Sequence, residues 1–191
     1  MQHTIYLLNT RPRLLNTYDN FHRTPLFTAV DEHNHSGMVN LLLKHGADPN
    51  IPAFGKSMTP LHVACLRHCT EYMELLLSHG ADPNFSIYDV HYSPLDQLIK
   101  VLGPIECFQL LIDHGANLNS KQRPPLLLLL EFNVSLEKCK DIARLLIYHG
   151  ADMPTTGRQY SLYLWMLRHY IILLVLQVTP NDIARLLFMF L

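Results

Sequence analysis

The chain repeats one tetrapeptide four times at nearly constant intervals. His-Gly-Ala-Asp, or His-Gly-Ala-Asn in the third copy, begins at His45, His79, His114 and His149, and successive copies lie 34, 35 and 35 residues apart. This period is typical of small supersecondary units that cannot bury their apolar faces alone and therefore stack on one another. The repeat predicts an elongated solenoid and directs the search for function to binding surfaces.

Each tetrapeptide follows an apolar run with helical spacing. The runs are Met38–Leu43, Tyr72–Leu77, Cys107–Ile112 and Ile142–Ile147. A polar residue interrupts each run, so a helix formed there would bury most of its sides and leave one in solvent. The glycine that follows suits the left-handed residue that ends a helix, and the Asp or Asn after it favours a turn. Three of these turns end in an asparagine: Asn50, Asn84 and Asn119.

A second motif precedes the first three runs and predicts another helix. Its copies are Thr24-Pro25-Leu26, Thr59-Pro60-Leu61 and Ser93-Pro94-Leu95. Thr or Ser can cap the exposed amides of a helix, and proline at the first helical position loses only a donor that would be unpaired anyway. Each unit is therefore predicted to consist of a turn, a helix, a short link and a second helix.

These motifs resemble those of the ankyrin-repeat family. Thr59-Pro60-Leu61-His62-Val63-Ala64 matches the family's helix-opening motif, and Leu75–Asn84 matches its second helix and the turn after it. The resemblance extends from about residue 5 to residue 154 and is weaker beyond. It implies an all-α ankyrin-repeat solenoid, in which helix-turn-helix units are joined by β-hairpin-like turns.

The repeat motifs set the predicted boundaries. We expect a partial repeat or cap at 1–16, repeats at 17–50, 51–84, 85–119 and 120–154, and a degenerate or truncated repeat at 155–191. The fourth repeat is longer by about four residues, which we assign to an inter-helix loop at 133–138. Asp182–Leu187 copies Asp141–Leu146 and predicts a fifth second helix, although Thr179-Pro180 could instead open a repeat. The apolar C-terminus indicates either a docking segment or a truncated form of a longer protein.

Composition and charge exclude several classes of function. The net charge is −1 and no basic stripe is present, so we expect no nucleic-acid partner. The N-terminus lacks the pattern of a secretory signal. Residues 160–178 are rich in Leu and Ile but are interrupted by Arg168, His169 and Gln177, which favours a buried helix over a membrane span. We expect a monomer in the cytoplasm or nucleus, where the four cysteines would be free thiols.

Neither a metal site nor an active site is expected. His62, Cys65, His68 and Cys69 would give a zinc-like spacing if they shared one helix. The family resemblance instead implies that the imidazole of His62 hydrogen-bonds the turn backbone. No phosphate-binding loop, nucleophile elbow or His-Glu-x-x-His motif is present. The prediction is a non-catalytic protein without a cofactor.

The resemblance implies that another protein binds on the concave side, which is formed by the hairpin tips and the outward residues of the first helices. The tips are rich in aromatic residues, which are favoured anchors at interfaces. The third tip is the strongest candidate, although the rings could simply pack hairpin against hairpin. The predicted partner-binding residues are Tyr18, Phe21, His22, Phe54, Lys56, Tyr88, His91 and Tyr92.

Two further roles stay open. The C-terminal segment loosely resembles an F-box at Pro180–Leu191 and an elongin-binding box at Ser161–Met166, which would make the chain a substrate receptor of a cullin-type ubiquitin ligase. The asparagines that end the turns resemble substrates of an asparaginyl hydroxylase. Those sites are Asn50, Asn84 and Asn119.

Overall fold

The structure is a computed structural model that describes residues 10–32, 36–53, 58–86, 92–121, 124–131 and 136–152. All of them lie in the first of two units, Met1–Asp152. The second unit, Met153–Leu191, lies outside the described residues, and so do the predictions made for it.

A short 3-10 helix, Pro12–Asn16, precedes four pairs of α-helices in the described residues. The first helices of the pairs are α1 (Pro25–Asp31), α3 (Pro60–Leu66), α5 (Pro94–Val101) and α7 (Pro125–Glu131). The second helices are α2 (Ser36–Lys44), α4 (Thr70–Ser78), α6 (Ile105–Asp113) and α8 (Leu136–Tyr148). An isolated bridge, Ala53 to Met58, marks the base of one hairpin-like turn.

The predicted caps begin the first helices. The Thr24 hydroxyl accepts a hydrogen bond from the Phe27 amide at 3.2 Å. Ser93 and Asp96 form a reciprocal capping box, in which each side chain accepts from the other residue's amide at 3.2 and 2.8 Å. These bonds satisfy amides that a helix leaves without internal partners, so Thr-Pro and Ser-Pro fix where the helices start.

A left-handed residue follows six of the helices, but only four of these residues are glycines. Gly46, Gly80, Gly115 and Gly150 follow the second helices with φ between +85° and +92°. His68 and Leu102 occupy the same left-handed region after α3 and α5, with φ of +56° and +48°. Because a side chain in this conformation costs roughly 1–2 kcal/mol, the two links carry strain that a glycine would relieve.

The helices form two layers. First helices stack on one another in the order α1, α3, α5, α7, second helices stack as α2, α4, α6, α8, and each pair also packs together. The buried side chains lie between these layers, with Phe27, Leu61 and Leu95 from first helices and Met73 and Phe108 from second helices fully enclosed. The predicted ankyrin-repeat, all-α architecture is confirmed.

One local prediction was wrong, and the condition for a zinc-like spacing is not met. Helix α8 begins at Leu136, so the latter half of the predicted loop at 133–138 is helical and α8 has 13 residues where α4 and α6 have 9. Leu, Glu and Lys at the start of α8 are good helix formers, which accounts for the extension. Cys65 and Cys69 do not share a helix, because α3 ends at Leu66 and the left-handed His68 turns the chain before α4.

No helix within the described ranges has both the length and the apolar character needed to cross a membrane.

Candidate functional site

The turn that precedes α1 is held by the Asp19 carboxylate together with two backbone hydrogen bonds, from the Asp19 amide to the Arg23 carbonyl at 2.9 Å and from the His22 amide to the Asp19 carbonyl at 3.0 Å. Asp19 Oδ1 accepts hydrogen bonds from the Phe21 and Arg23 amides at 2.8 and 2.9 Å, and Oδ2 accepts from the Arg23 guanidinium at 3.2 Å. Desolvation raises the pKa of Asp19, but the bonds from Arg23 and Phe21 outweigh it and leave the pKa below its ordinary value. We call residues 18–23 the first finger. Its conformation is set by its own hydrogen bonds.

The first finger exposes two aromatic side chains. Phe21 is 67% exposed and Tyr18 is 51% exposed. The Arg23 guanidinium lies 4.9 Å from the centre of the Phe21 ring, and the His22 ring meets Tyr18 edge-on at 6.3 Å. The Tyr18 hydroxyl donates to the Pro52 carbonyl at 3.0 Å, which ties the finger to the next repeat. Three predicted binding residues, Tyr18, Phe21 and His22, therefore lie on one ordered and exposed turn.

Tyr92, the fourth predicted residue that the structure describes, lies at the base of the third turn. Its ring is partly buried, and the Lys100 ammonium lies 5.7 Å from the ring centre. Its carbonyl accepts a hydrogen bond from His62 Nε2 at 3.2 Å. The other predicted residues lie outside the described part of the chain and stay predictions: Phe54, Lys56, Tyr88 and His91.

His62 joins the second and third repeats from within the core. Its Nδ1 lies 3.3 Å from the Thr59 amide and 2.8 Å from the Thr59 hydroxyl. Because the amide must donate, Nδ1 is the unprotonated nitrogen and Nε2 carries the hydrogen given to Tyr92. Burial lowers the pKa of His62 to about 4, although the bond to Tyr92 opposes the shift. The bonding of His62 to the turn backbone agrees with the resemblance.

The C-terminal ends of the first helices form a row of exposed or partly exposed side chains. Leu66 and Lys100 occupy equivalent positions at the ends of α3 and α5, 34 residues apart. Beside Leu66, the Arg67 guanidinium pairs with Asp31 of the preceding repeat at 2.6 Å. Sequence reasoning missed this row. The period that aligns Asp31, Leu66 and Lys100 was the signal that could have found it.

The turn asparagines form a ladder between repeats. Each side-chain oxygen accepts from a backbone amide one repeat further on, at 2.6–2.9 Å. The donors to Asn16, Asn50, Asn84 and Asn119 are Asp48, Asp82, Asn117 and Asp152, respectively. The last three asparagines also donate to a glycine carbonyl at 2.9–3.1 Å. Their amides therefore align neighbouring repeats, and hydroxylation stays a prediction.

Cys65 and Cys107 lie in surroundings that suppress thiolate formation. Burial, and then the neighbouring Cys107, raise the pKa of Cys65 well above its ordinary value. Burial, followed by Glu106 and Cys69, raises the pKa of Cys107 to about 11. Since the thiolate is the reactive and metal-binding form, neither thiol is activated. Among the residues the structure describes, no group of three His, Cys, Asp or Glu is placed to hold a metal ion.

The family model for ankyrin repeats (3 copies) matches residues 4–87 and 33–122, which together span more than half of the chain. The chain belongs to the ankyrin-repeat family. This fold is a protein-interaction scaffold rather than an enzyme fold. No curated protein sequence matches the chain.

Among solved structures, the ankyrin-repeat chain is similar to the ankyrin repeat domain of Bcl-3, described as a unique member of the IkappaB protein family. The two are 27% identical with a TM-score of 0.67, and the match covers 78% of this chain but only 65% of that domain. In all, 374 chains of solved structures match, so the likeness identifies the fold without singling out a partner.

Proposed function

We propose that this ankyrin-repeat chain is a non-catalytic scaffold that binds a protein partner through the first finger and the exposed side chains of the first helices. The observation that carries the proposal is the 67% exposure of Phe21 on a turn whose backbone is fixed by Asp19. A large apolar ring is exposed to solvent on an ordered segment. Binding would therefore bury apolar area at a small cost in conformational entropy.

The aromatic residues of the first finger suit the centre of an interface. Tyr18 and Phe21 each offer a large contact area with few rotatable bonds, and Arg23 lies against Phe21. The simpler alternative is that the rings pack hairpin against hairpin. Tyr18 does bond to the next repeat through its hydroxyl, but half of the residue stays exposed. The Phe21 ring is more exposed still, so inter-repeat packing does not account for it.

Proximity labelling in cells with the full chain tests the proposal. Phe21→Ala should reduce labelling of the principal partner by at least tenfold, because an aromatic anchor at an interface typically contributes about 2 kcal/mol or more. Tyr148→Ala is the matched control, since Tyr148 is 82% exposed on a second helix, in the other layer. Both variants should melt within a few degrees of the unmodified chain.

Equal labelling by Phe21→Ala, Tyr148→Ala and the unmodified chain would contradict the proposal. A loss in both variants would show that exposed rings act non-specifically, and the first finger would then not be the binding site.

The ligase-receptor function is an alternative that depends on residues 158–191, which lie outside the described residues. Deleting those residues should abolish capture of elongin or of the F-box-binding adaptor if that function is correct. Hydroxylation of Asn50, Asn84 or Asn119 would appear as an added oxygen in intact-mass analysis after co-expression with the hydroxylase.

Cytoplasmic or nuclear localisation is likewise a proposal, and fluorescence microscopy of the tagged full chain tests it.

A further inference from the structure

We propose that Tyr18 accepts a phosphoryl group from ATP in a reaction catalysed by a tyrosine kinase, and that this modification releases the first finger from the second repeat. Tyr18 would then be a modification site that regulates the binding surface. The regulatory part rests on the proposed function, whereas the modification and the release do not require a partner.

The tyrosines that the structure describes differ in their accessibility. Tyr72 is buried in α4, and Tyr92 is partly buried at the base of the third turn. Tyr18 and Tyr148, in contrast, are 51% and 82% exposed. Within the described part of the chain, these two side chains are therefore the ones whose hydroxyl oxygens can be presented to a kinase.

The chain around Tyr148 is held by hydrogen bonds. Tyr148 is the last residue of α8. Just beyond it, the Ala151 amide donates to the Leu146 carbonyl at 2.9 Å, and Ala151 itself is buried. The Asp152 amide then bonds the Asn119 side chain of the preceding turn at 2.6 Å. Entry of Tyr148 into an active-site cleft would therefore require local unfolding, although its side chain is the more exposed of the two.

Tyr18 lies outside any helix. Thr17, which precedes it, has an extended backbone with φ of −89° and ψ of 151°, and the hydrogen-bonded turn begins only at Asp19. Phosphoryl transfer requires the acceptor oxygen to lie in line with the γ-phosphorus of ATP, so the segment that carries it has to enter the kinase active site. An exposed, non-helical segment meets this requirement with the least rearrangement.

A single hydrogen bond holds the Tyr18 hydroxyl. It donates to the Pro52 carbonyl of the next repeat at 3.0 Å, at an exposed position. One neutral hydrogen bond shifts an equilibrium by about tenfold or less, so the hydroxyl is free in roughly a tenth of the molecules or more. The bond to Pro52 therefore does not protect Tyr18 from modification.

The transfer converts the Tyr18 hydroxyl from a donor into a group that only accepts. Its oxygen attacks the γ-phosphorus of ATP, the bond from that phosphorus to the β–γ bridging oxygen breaks, and ADP leaves. The hydroxyl proton passes to the catalytic aspartate of the kinase. The product carries about −1.5 to −2 charges at pH 7. Because the phosphate and the Pro52 carbonyl oxygen are both acceptors, the bond between the two repeats cannot form again.

The turn itself should survive the modification. Its hydrogen bonds lie within residues 19–23, where Asp19 accepts from the Phe21 and Arg23 amides. The finger should therefore separate from the second repeat without unfolding. A partner that buries Phe21 would also have to desolvate the phosphate three residues away, which opposes binding.

Kinase treatment of the isotope-labelled full chain tests the proposal. The chain is incubated with magnesium ATP and the catalytic domain of a broad-specificity tyrosine kinase, and a standard peptide substrate verifies that the kinase is active. Peptide mapping by mass spectrometry follows phosphate at Tyr18 and at Tyr148 in the same sample. Tyr18→Phe and Tyr148→Phe verify the assignment of each phosphopeptide, and circular dichroism melting verifies that both variants fold.

Tyr18 should be phosphorylated at least about tenfold faster than Tyr148, because only Tyr148 requires local unfolding of a helix. In NMR spectra, phosphorylation and Tyr18→Phe should both shift the Ala53 amide, which shares a peptide group with the Pro52 carbonyl. The Phe21 amide should keep its protection from hydrogen exchange. The phosphorylated chain should capture about tenfold less of the partner that is identified by its dependence on Phe21.

The proposal is overturned if Tyr148 is modified as fast as Tyr18, if Tyr18 stays unmodified while the standard peptide reacts, or if phosphorylation leaves the Ala53 amide unshifted. Undiminished capture of the partner by the phosphorylated chain would overturn the regulatory part. If Tyr18 is modified and released but Phe21→Ala retains its partner, the modification site stands and the proposed function fails. If Phe21→Ala loses its partner while Tyr18 is not modified, only the modification site fails.

Discussion

The start of the first helix in the second repeat and the first finger differ in where the side chain that holds them lies and in what it bonds. Each lies at the start of a first helix, and in each one polar side chain makes several of the hydrogen bonds. At the second repeat that side chain is His62, which is fully buried and bonds both Thr59 and Tyr92. At the first finger it is Asp19, which lies at the surface and bonds only residues of its own turn.

The comparison separates a segment on which the stability of the repeats depends from one that can contact a partner. His62 holds two repeats together, so its removal should affect the whole unit. Asp19 orders a local segment that presents Tyr18 and Phe21, so its removal should affect binding but hardly stability. Global stability and surface order thus depend on different side chains.

The largest effect is expected from His62→Ala. The variant loses a buried ring and leaves the Tyr92 carbonyl without its donor, which together should lower the free energy of unfolding by about 2–4 kcal/mol. Urea denaturation followed by circular dichroism measures this. His79→Ala is the control, because His79 is exposed and bonds only the helix-end carbonyl of Leu75 and the neighbouring Ser78. Equal losses in the two variants would show that burial of His62 is not what joins the repeats.

Acid should weaken the same contact in the unmodified chain. The pKa of His62 falls from 6.5 to about 4 on folding, so the unfolded chain binds the proton more readily. The stabilisation that neutral His62 contributes is therefore fully present above pH 6.5, and it is lost as the pH falls from 6.5 towards 4. The loss is up to roughly 3 kcal/mol at about 1.4 kcal/mol per pKa unit.

His62→Gln separates this effect from the titration of carboxylates. The difference in unfolding free energy between the two chains, measured by urea denaturation from about pH 7.5 to about pH 4, should shrink as the pH falls. A constant difference over that range would mean that His62 titrates normally and is not buried as described.

The smallest effect on stability is expected from Asp19→Ala. The melting temperature should hardly change, but the amides of residues 20–23 should become mobile, with NMR order parameters falling from about 0.85 to below about 0.6. Asp113→Ala removes an equally exposed carboxylate that bonds only Gln109, and should leave the finger rigid. A finger that stays ordered in Asp19→Ala would show that contacts such as Tyr18 to Pro52 hold it instead.

Much of the fold is determined by local sequence, because a few neighbouring residues determine where each helix starts and ends. Thr24, Ser93 and the repeated glycines specify their caps whatever the neighbouring repeat contains. The left-handed His68 and Leu102 could not be predicted in this way, since stacking forces the link into a conformation that their own preferences disfavour. Glycine adopts this conformation without strain, so a residue with a side chain leaves the link strained.

The candidate site was predicted less completely. Aromatic content pointed to all three tips and most strongly to the third. The sequence does not show that Asp19 bonds the backbone of the first finger or that Phe21 is more exposed than Tyr18. The pairing of Arg67 with Asp31 depends on residues 36 positions apart that only the stacking of α1 on α3 brings together. Contacts between repeats have no local signature, whereas the ladder begun by Asn16 could be traced because its period is regular.

The most direct test of the central claim compares partner capture by Phe21→Ala and Tyr148→Ala under identical expression. We predict that only the Phe21 variant loses its partner while both retain the unmodified melting curve. Undiminished capture by Phe21→Ala, with the fold intact, would contradict the claim that the first finger is where this scaffold binds.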